Sequence, residues 1–159
     1  MPEKPKDIFM LLATLEARKN FKSKEGGPFG ACIVKNGKVV SLARNTVLKN
    51  DATCHAEINA IRIASRKLKT FDLSGCHVYS TTEPCPMCLS AIHWARIGKL
   101  YYGTTIRDVK KLGFNELPIS ALEMKKIGKS KLKIYPAFAT PVCLKLLSDW
   151  NKLPDKRIY

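Results

Sequence analysis

Apolar positions recur with a helical period in some stretches of the chain and with a strand period in others. Residues 7–22 carry apolar side chains three and four positions apart, which predicts an N-terminal helix with Asp7 as its N-cap. Residues 30–34 and 38–43 are strand-like, and Asn36-Gly37 between them is a strong hairpin signal. The chain is therefore expected to begin with a helix followed by a β-hairpin.

The rest of the chain alternates predicted helices with short single strands. We expect helices over residues 54–68, 86–96, 118–127 and 141–153, and strands over residues 77–81, 100–103 and 132–135. Proline begins three of these helices or lies near their start, where a missing N–H group costs no hydrogen bond. This order predicts an α/β fold in which one mixed sheet carries helices on both faces.

Length and composition indicate a single folded domain that spans residues 1–159. Neither a repeat nor a low-complexity linker divides the chain, and 45% of its residues are hydrophobic, as in ordinary globular proteins. No apolar run reaches the length of a membrane span, and the N-terminus lacks the pattern of a signal peptide. We therefore expect a cytoplasmic protein without a membrane partner.

The charge of the chain is strongly positive, with 28 Lys and Arg against 13 Asp and Glu and a net charge of +15. Such a charge is typical of nucleic-acid-binding proteins. However, 21 of the basic residues are Lys and only 7 are Arg, the residue that groove readers and phosphate clamps prefer. A solvated basic surface is the preferred interpretation, and RNA remains a less favoured partner.

The six cysteines do not indicate a disulfide framework, because the chain shows no signal peptide and is long enough to form a hydrophobic core. Cys85 and Cys88 have the spacing of a metal-binding pair. Three others lie in or beside apolar runs and are expected to be buried thiols: Cys32, Cys76 and Cys143. A reducing compartment fits this pattern.

His55-Ala56-Glu57 and the cysteine pair each begin a predicted helix. If both helix starts point at one place, His55, Cys85 and Cys88 form a ligand set for Zn²⁺ and leave the fourth position to water. Glu57 is then placed to move protons to and from that water. A closed structural zinc site, with Cys54 as the fourth ligand, is the alternative.

His-Ala-Glu followed about thirty residues later by Pro-Cys-x-x-Cys resembles the signature of the zinc-dependent cytidine and deoxycytidylate deaminase superfamily. The resemblance covers nearly the whole chain and is strongest to the bacterial guanine deaminases. The segments that carry it are Gly26–Ala31, His55–Arg62, Glu83–Cys88, Ala91–Ala95, Gly113–Glu116 and Lys156–Tyr159.

The resemblance implies a three-layer α/β/α sandwich with a five-stranded mixed sheet, as in the cytidine deaminase-like fold. It implies one zinc ion per subunit, bound by His55, Cys85 and Cys88, with water or hydroxide as fourth ligand. Glu57 and Glu116 would be the catalytic acids and bases. The implied substrate-binding residues are Phe29, Asn45, Ala56, Trp94 and Tyr159. The implied assembly is a homodimer in which residues 140–159 are exchanged between subunits.

The implied reaction is deamination of guanine to xanthine and ammonia. Glu57 takes a proton from the zinc-bound water, hydroxide attacks C2, and Glu57 with Glu116 delivers protons to the ring nitrogen and the departing ammonia. Two segments depart from the family pattern. Asn115-Glu116 stands where the family usually has Asp-Asp, and residues 41–44 lack the expected glycine. These departures would fit a substrate related to guanine.

Other functions remain open at this stage. A tRNA-specific adenosine deaminase has the same metal motifs, and the charge favours it, whereas Pro86, Trp94 and the aromatic C-terminus favour a free base. Another nucleobase, nucleoside or heterocycle is a further substrate class. A non-catalytic zinc or nucleic-acid-binding module is a different class of protein, and Glu57 argues against it because a binding module needs no such carboxylate.

Overall fold

A computed structural model describes residues 5–159, which form one five-stranded sheet in the order β2-β1-β3-β4-β5. The strands are β1 (Gly30–Lys35), β2 (Lys38–Arg44), β3 (Cys76–Thr82), β4 (Lys99–Thr104) and β5 (Lys133–Tyr135). β1 is antiparallel to both β2 and β3, whereas β3, β4 and β5 are mutually parallel. The expected mixed sheet of five strands is confirmed.

Helices cover both faces of the sheet. They are α1 (Asp7–Arg18), α2 (Asn20–Ser23), α3 (Ala56–Leu68), α4 (Pro86–Trp94), α5 (Ile106–Lys111), α6 (Ala121–Ile127) and α7 (Thr140–Asn151). α3, α4 and α6 pack on one face and α1 and α7 on the other. No helix between residues 5 and 159 combines the length and the hydropathy that crossing a bilayer requires.

Strand alternation explains why two apolar layers form. Along β3, Val78 faces the cluster under α3 and α4, while the next residue, Tyr79, faces the cluster under α1 and α7. Leu100 and Tyr101 repeat this division on β4. Successive side chains of a strand point to opposite faces, so a continuous apolar run indicates a strand buried on both sides.

Several element boundaries differ from the sequence prediction. α5 was not expected; it is six residues long and begins with a capping box in which Thr105 and Asp108 bond each other's backbone N–H. α6 begins at Ala121 rather than at residue 118, because Ser120 caps it through a second capping box with Glu123. The prediction of Asp7 as an N-cap was wrong: Lys6 holds that position and Asp7 lies in the first turn.

Two helices begin at the same end of the sheet and carry the residues with the strongest chemical signal. α3 begins just after His55, and α4 begins just after Cys85. Both residues occupy N-cap positions with extended backbone, so each side chain projects from the beginning of its helix. This arrangement brings two distant parts of the sequence to one place.

Candidate metal and active site

The structure brings His55, Cys85 and Cys88 together as expected. One potential ligand atom from each lies within 4.8 Å of the other two. The Cys85 Sγ and His55 Nδ1 atoms are 3.7 Å apart. Tetrahedral coordination with ordinary Zn–S and Zn–N bond lengths places such a pair about 3.6 Å apart. One imidazole and two thiols at this separation therefore fit a zinc ion.

The two thiols differ in how easily they ionise. The hydrogen bond from Cys88 and the neighbouring His55 lower the pKa of Cys85 to about 4, against the opposing effect of burial. The bond to Cys85 and burial raise the pKa of Cys88 well above its ordinary value. Cys85 is therefore a thiolate at neutral pH, which is the form that binds a metal ion.

Cys54 does not join this cluster. Its thiol is buried and accepts a hydrogen bond from Arg62 Nη1 at 3.4 Å. Within residues 5–159, the group of metal-binding type contains three residues and not four. This geometry favours an open site with one position left for another ligand over the closed structural site.

Glu57 lies beside the ligands at the start of α3 and is buried. Ser80 Oγ donates a hydrogen bond to Glu57 Oε1 at 2.9 Å, which fixes one oxygen of the carboxylate. Burial raises the pKa of Glu57 above its ordinary value. A carboxyl group with a raised pKa, held next to a metal site, is suited to accept and return a proton. Sequence analysis missed Ser80, which β3 places in the pocket.

The metal ligands form one end of a cavity of about 190 Å³. Aromatic side chains form a wall of this cavity: Phe29, Phe114 and Tyr159. Ring centroids are 5.1 Å apart between Phe29 and Phe114 and 5.3 Å apart between Phe114 and Tyr159. A flat heterocycle is the ligand that such a wall accommodates. The structure thus places Phe29 and Tyr159 where the resemblance implied.

Asn45 is buried in this cavity, and its amide orientation is fixed. Its Oδ1 accepts hydrogen bonds from Tyr159 Oη at 2.7 Å and from Val47 N at 3.1 Å. Because two donors occupy the oxygen, the Nδ2 group is the part of the amide that can bond a ligand. A side chain at Gly26 would collide with Asn45, so only glycine allows this close approach.

Glu116 also lines the cavity, on a loop that follows α5. Burial and the charge of Cys85 raise the pKa of Glu116 to about 7. Backbone N of the adjacent Asn115 donates a hydrogen bond to Tyr159 O at 3.2 Å. The loop of Glu116 and the last residue of the chain therefore meet at the pocket, although they are far apart in sequence.

Two of the expected substrate-binding residues do not line this cavity. The Ala56 side chain is buried in the core, between the two pocket-lining residues that flank it in sequence. Trp94 is 78% exposed at the far end of α4. At about 1.5 Å of rise per residue, the helix separates Trp94 from Cys85 by roughly 13 Å. Within one chain, Trp94 therefore has no access to a ligand in the pocket.

The C-terminal segment completes the pocket of its own chain. Tyr159 Oη accepts a hydrogen bond from Gly27 N at 3.1 Å and donates one to Asn45. Its ring packs against Phe114 next to the Trp150 side chain of α7. The expected exchange of residues 140–159 concerns an assembly of two chains and stays a prediction.

Comparison with known proteins agrees with this geometry. The cytidine and deoxycytidylate deaminase zinc-binding region matches residues 3–104. Guanine deaminase of Bacillus subtilis (strain 168) is 40% identical over 154 residues, which are 96% of this chain and 98% of that protein. The tRNA-specific adenosine deaminase of Buchnera aphidicola is 37% identical over 135 residues, 83% of this chain and 86% of that protein.

A solved structure extends the likeness to three dimensions. Guanine deaminase from Nitrosomonas europaea superposes on this chain with a TM-score of 0.83 at 26% identity. The superposition covers 94% of this chain and 86% of that structure. The likeness therefore extends over nearly the whole fold.

Proposed function

Because the chain belongs to the cytidine and deoxycytidylate deaminase zinc-binding family, we propose that this zinc-dependent deaminase converts guanine to xanthine and ammonia. The observation that carries the choice of substrate is the closure of the pocket by Tyr159. Its cavity of about 190 Å³ is smaller than the roughly 300–1,000 Å³ of pockets for drug-sized ligands. A single base fits such a closed pocket better than a nucleotide within a polymer.

The side chains have complementary tasks in this reaction. His55, Cys85 and Cys88 would hold the zinc ion, which would lower the pKa of water towards neutrality and so provide a nucleophile at neutral pH. Glu57 accepts a proton from the attacking water and passes it to the ring nitrogen. Glu116, with a pKa raised to about 7, is a proton donor for the departing ammonia.

Asn45 and the aromatic wall orient the substrate. The Nδ2 group of Asn45 donates to an acceptor on the base, because its Oδ1 is occupied by Tyr159 and Val47. Phe29 and Phe114 contact the face and edge of the ring. Guanine, which presents a carbonyl and ring nitrogens as acceptors, satisfies this donor.

The direct test is ammonia release by the zinc-loaded protein, with guanine, adenine and cytosine supplied in parallel. We expect release from guanine alone and its loss in Glu57→Ala. Glu123→Ala is a matched control, because Glu123 caps α6 at an exposed position and should leave the rate unchanged. Release from another base, with guanine inert, would reject guanine and retain the deaminase.

A second candidate, a tRNA-specific adenosine deaminase, is favoured by the net charge of +15 and by 37% identity to the Buchnera protein. RNA binding through Lys and Arg releases counterions, so its affinity falls steeply with salt, whereas binding of a neutral base does not. Inosine formation in an adenosine-containing anticodon stem-loop, with salt-sensitive binding, would support this function against guanine deamination.

We further propose that the active assembly is a homodimer in the cytoplasm, with a role in purine metabolism. Two large apolar side chains remain exposed in one groove at the end of α4: Phe71 at 68% and Trp94 at 78%. Exposed apolar side chains of this size mark protein interaction surfaces. Six free cysteines fit a reducing compartment. Sedimentation of the parent chain and of Trp94→Ser tests the dimer. The parent chain should sediment as a dimer and Trp94→Ser should shift towards the monomer, whereas a monomeric parent chain would exclude the dimer.

A further inference from the structure

The buried carboxylate of Glu83 connects the metal site to a distant loop. Glu83 lies two residues before Cys85 and is 7% exposed. Its Oε2 accepts a hydrogen bond from Ile106 N at 3.0 Å, and its Oε1 accepts one from Ala121 N at 2.8 Å. Its own backbone N donates to Thr104 O at 2.8 Å. Both carboxylate oxygens are therefore used inside the protein.

The two amides that Glu83 binds bracket one segment of the chain. Ile106 is the first residue of α5, and Ala121 is the first residue of α6. Between these helices, residues 112–120 have no regular secondary structure, and this stretch carries Asn115 and Glu116 into the pocket. The side chain of Glu83, two residues before Cys85, therefore hydrogen-bonds the backbone on both sides of this loop.

We propose that Glu83 is a positioning residue for deamination, which fixes residues 112–120 relative to Cys85 and so sets the reach of Glu116 to the substrate. This role rests on the proposed function, in which Glu116 donates a proton. Glu83 also lines the cavity, but both of its oxygens bond backbone amides, so it acts through the loop. Misplacement of a catalytic group by about 1 Å can cost on the order of 10²-fold in rate.

A purely structural role in starting the helices does not account for this arrangement. α5 and α6 each have a complete capping box of their own, from Thr105 with Asp108 and from Ser120 with Glu123. Those exposed caps already stabilise the helix starts. Glu83 adds a common anchor, because its one carboxylate bonds the first residue of both helices and holds them next to Cys85.

The anchor requires two hydrogen-bond acceptor oxygens on one side chain. Two backbone N–H donors face its two oxygens, and only a carboxylate accepts from both. A glutamine has nearly the same shape but offers one oxygen and one NH₂ group. Glu83→Gln therefore breaks one of the two bonds and directs a donor at a donor, while the volume of the side chain is retained.

The test compares the zinc-loaded full chain with Glu83→Gln, using guanine as substrate and zinc content and melting temperature as checks. We expect kcat to fall by roughly 10- to 100-fold with KM changed by less than about threefold, as for a misplaced catalytic group. Asp108→Ala and Glu123→Ala remove the carboxylates that complete the exposed capping boxes of the same helices, and they should leave kcat unchanged. Equal loss of kcat in these controls would overturn the proposal.

A double-substitution cycle separates positioning from general damage to the site. If Glu83 acts through Glu116, Glu83→Gln should have little further effect in a Glu116→Gln background. If the loss of kcat in the double variant equals the product of the losses in the two single variants, the proposal is contradicted. Should Glu83→Gln fail to fold, Glu83→Asp serves the same cycle, because it retains the charge but shortens the reach.

Hydrogen exchange tests the anchor without any assay of activity. The amides of residues 112–120 should exchange faster in Glu83→Gln than in the parent chain, while the amides of α3 should not change. Unchanged exchange in that loop would overturn the proposal. A parent chain that leaves guanine intact would instead reject the proposed function, and the exchange result would still decide whether Glu83 anchors the loop.

Discussion

The metal end of the pocket and its aromatic wall are built in different ways. The metal end comes from the starts of α3 and α4 and from β3, with Glu57 and Cys88 on the helices and His55 and Cys85 at their N-cap positions. The aromatic wall and the polar groups beside it come from widely separated parts of the chain, among them Asn45, the loop of Glu116 and the last residue, Tyr159. In the proposed function, the first region supplies the chemistry and the second region selects the substrate.

The support beneath the two regions also differs. Ala60 of α3 and Ile92 of α4 are fully buried in the core that lies under the metal end. The wall is held by a smaller ring cluster around Phe114 and by hydrogen bonds such as the one from Tyr159 Oη to Asn45 Oδ1 at 2.7 Å. Substitutions at the metal end should therefore abolish deamination, whereas substitutions in the wall should change its rate or its substrate.

The largest effect is expected from loss of a metal ligand. Cys88→Ala removes one of three ligands, so zinc should no longer copurify and activity should be lost. The melting temperature should also fall towards that of the chelator-treated parent chain, because bound metal stabilises the folded state. Metal analysis and thermal melting measure both effects. Cys54→Ala is the matched control, and zinc loss there would show that Cys54 is a ligand.

The next largest effect is expected at Glu57. Glu57→Gln keeps the size of the side chain and the contact with Ser80 but removes the proton acceptor. General acid–base catalysis contributes about 10²- to 10⁴-fold, so kcat should fall within or beyond this range. Zinc content should not change. A Glu57→Gln protein that keeps more than a tenth of the parent rate would refute the proton-transfer role.

Glu116, on the loop beside the aromatic wall, should control the pH dependence of the deamination rate. Its pKa is raised to about 7, so the protonated donor is present below that pH and disappears as the pH rises through it. Activity should therefore decline on the alkaline side of about pH 7. Glu116→Gln cannot titrate, so its rate at pH 7 should be lower and its alkaline decline should vanish. A decline of unchanged midpoint in Glu116→Gln would assign it to another group.

The smallest effect is expected from one hydroxyl group of the wall. Tyr159→Phe keeps the ring against Phe114 but deletes the bonds to Asn45 and to Gly27 N. Each hydrogen bond near a neutral group is worth about 0.5–1.5 kcal/mol, so loss of the two bonds should lower kcat/KM by at least roughly tenfold. Tyr135→Phe, on the edge strand, is the matched control with no expected effect. Equal changes in both variants would remove Tyr159 from substrate selection.

Much of the fold could be predicted from local patterns. The hairpin at Asn36-Gly37 and the helices that follow His55 and Cys85 are confirmed within two or three residues. These elements have strong local causes, namely turn residues, apolar periodicity and a proline at the start of α4. α5 escaped prediction because a helix of six residues has too few turns to show a period.

The metal end of the site was predictable for the same reason, whereas Phe29 and Tyr159 of the wall came only from the family resemblance. Ligand spacing is a local property, and the N-cap positions of His55 and Cys85 follow from where their helices begin. Ser80 and Glu83 were assigned no role, because nothing in their immediate sequence shows that they hold Glu57 and the loop of Glu116. Trp94 was expected at the pocket and lies on the surface instead.

The amino-acid sequence by itself predicted the cluster of His55, Cys85 and Cys88, the acid beside it and the alternation of strands and helices. These features depend on spacings within a helix turn or a strand, where the backbone fixes distances. Only the tertiary structure decided that Tyr159 meets Asn45, that Asn115 meets the chain end and that Glu83 joins two helix starts. Such contacts arise when the sheet orders its strands, because packing then brings together residues that no local pattern connects.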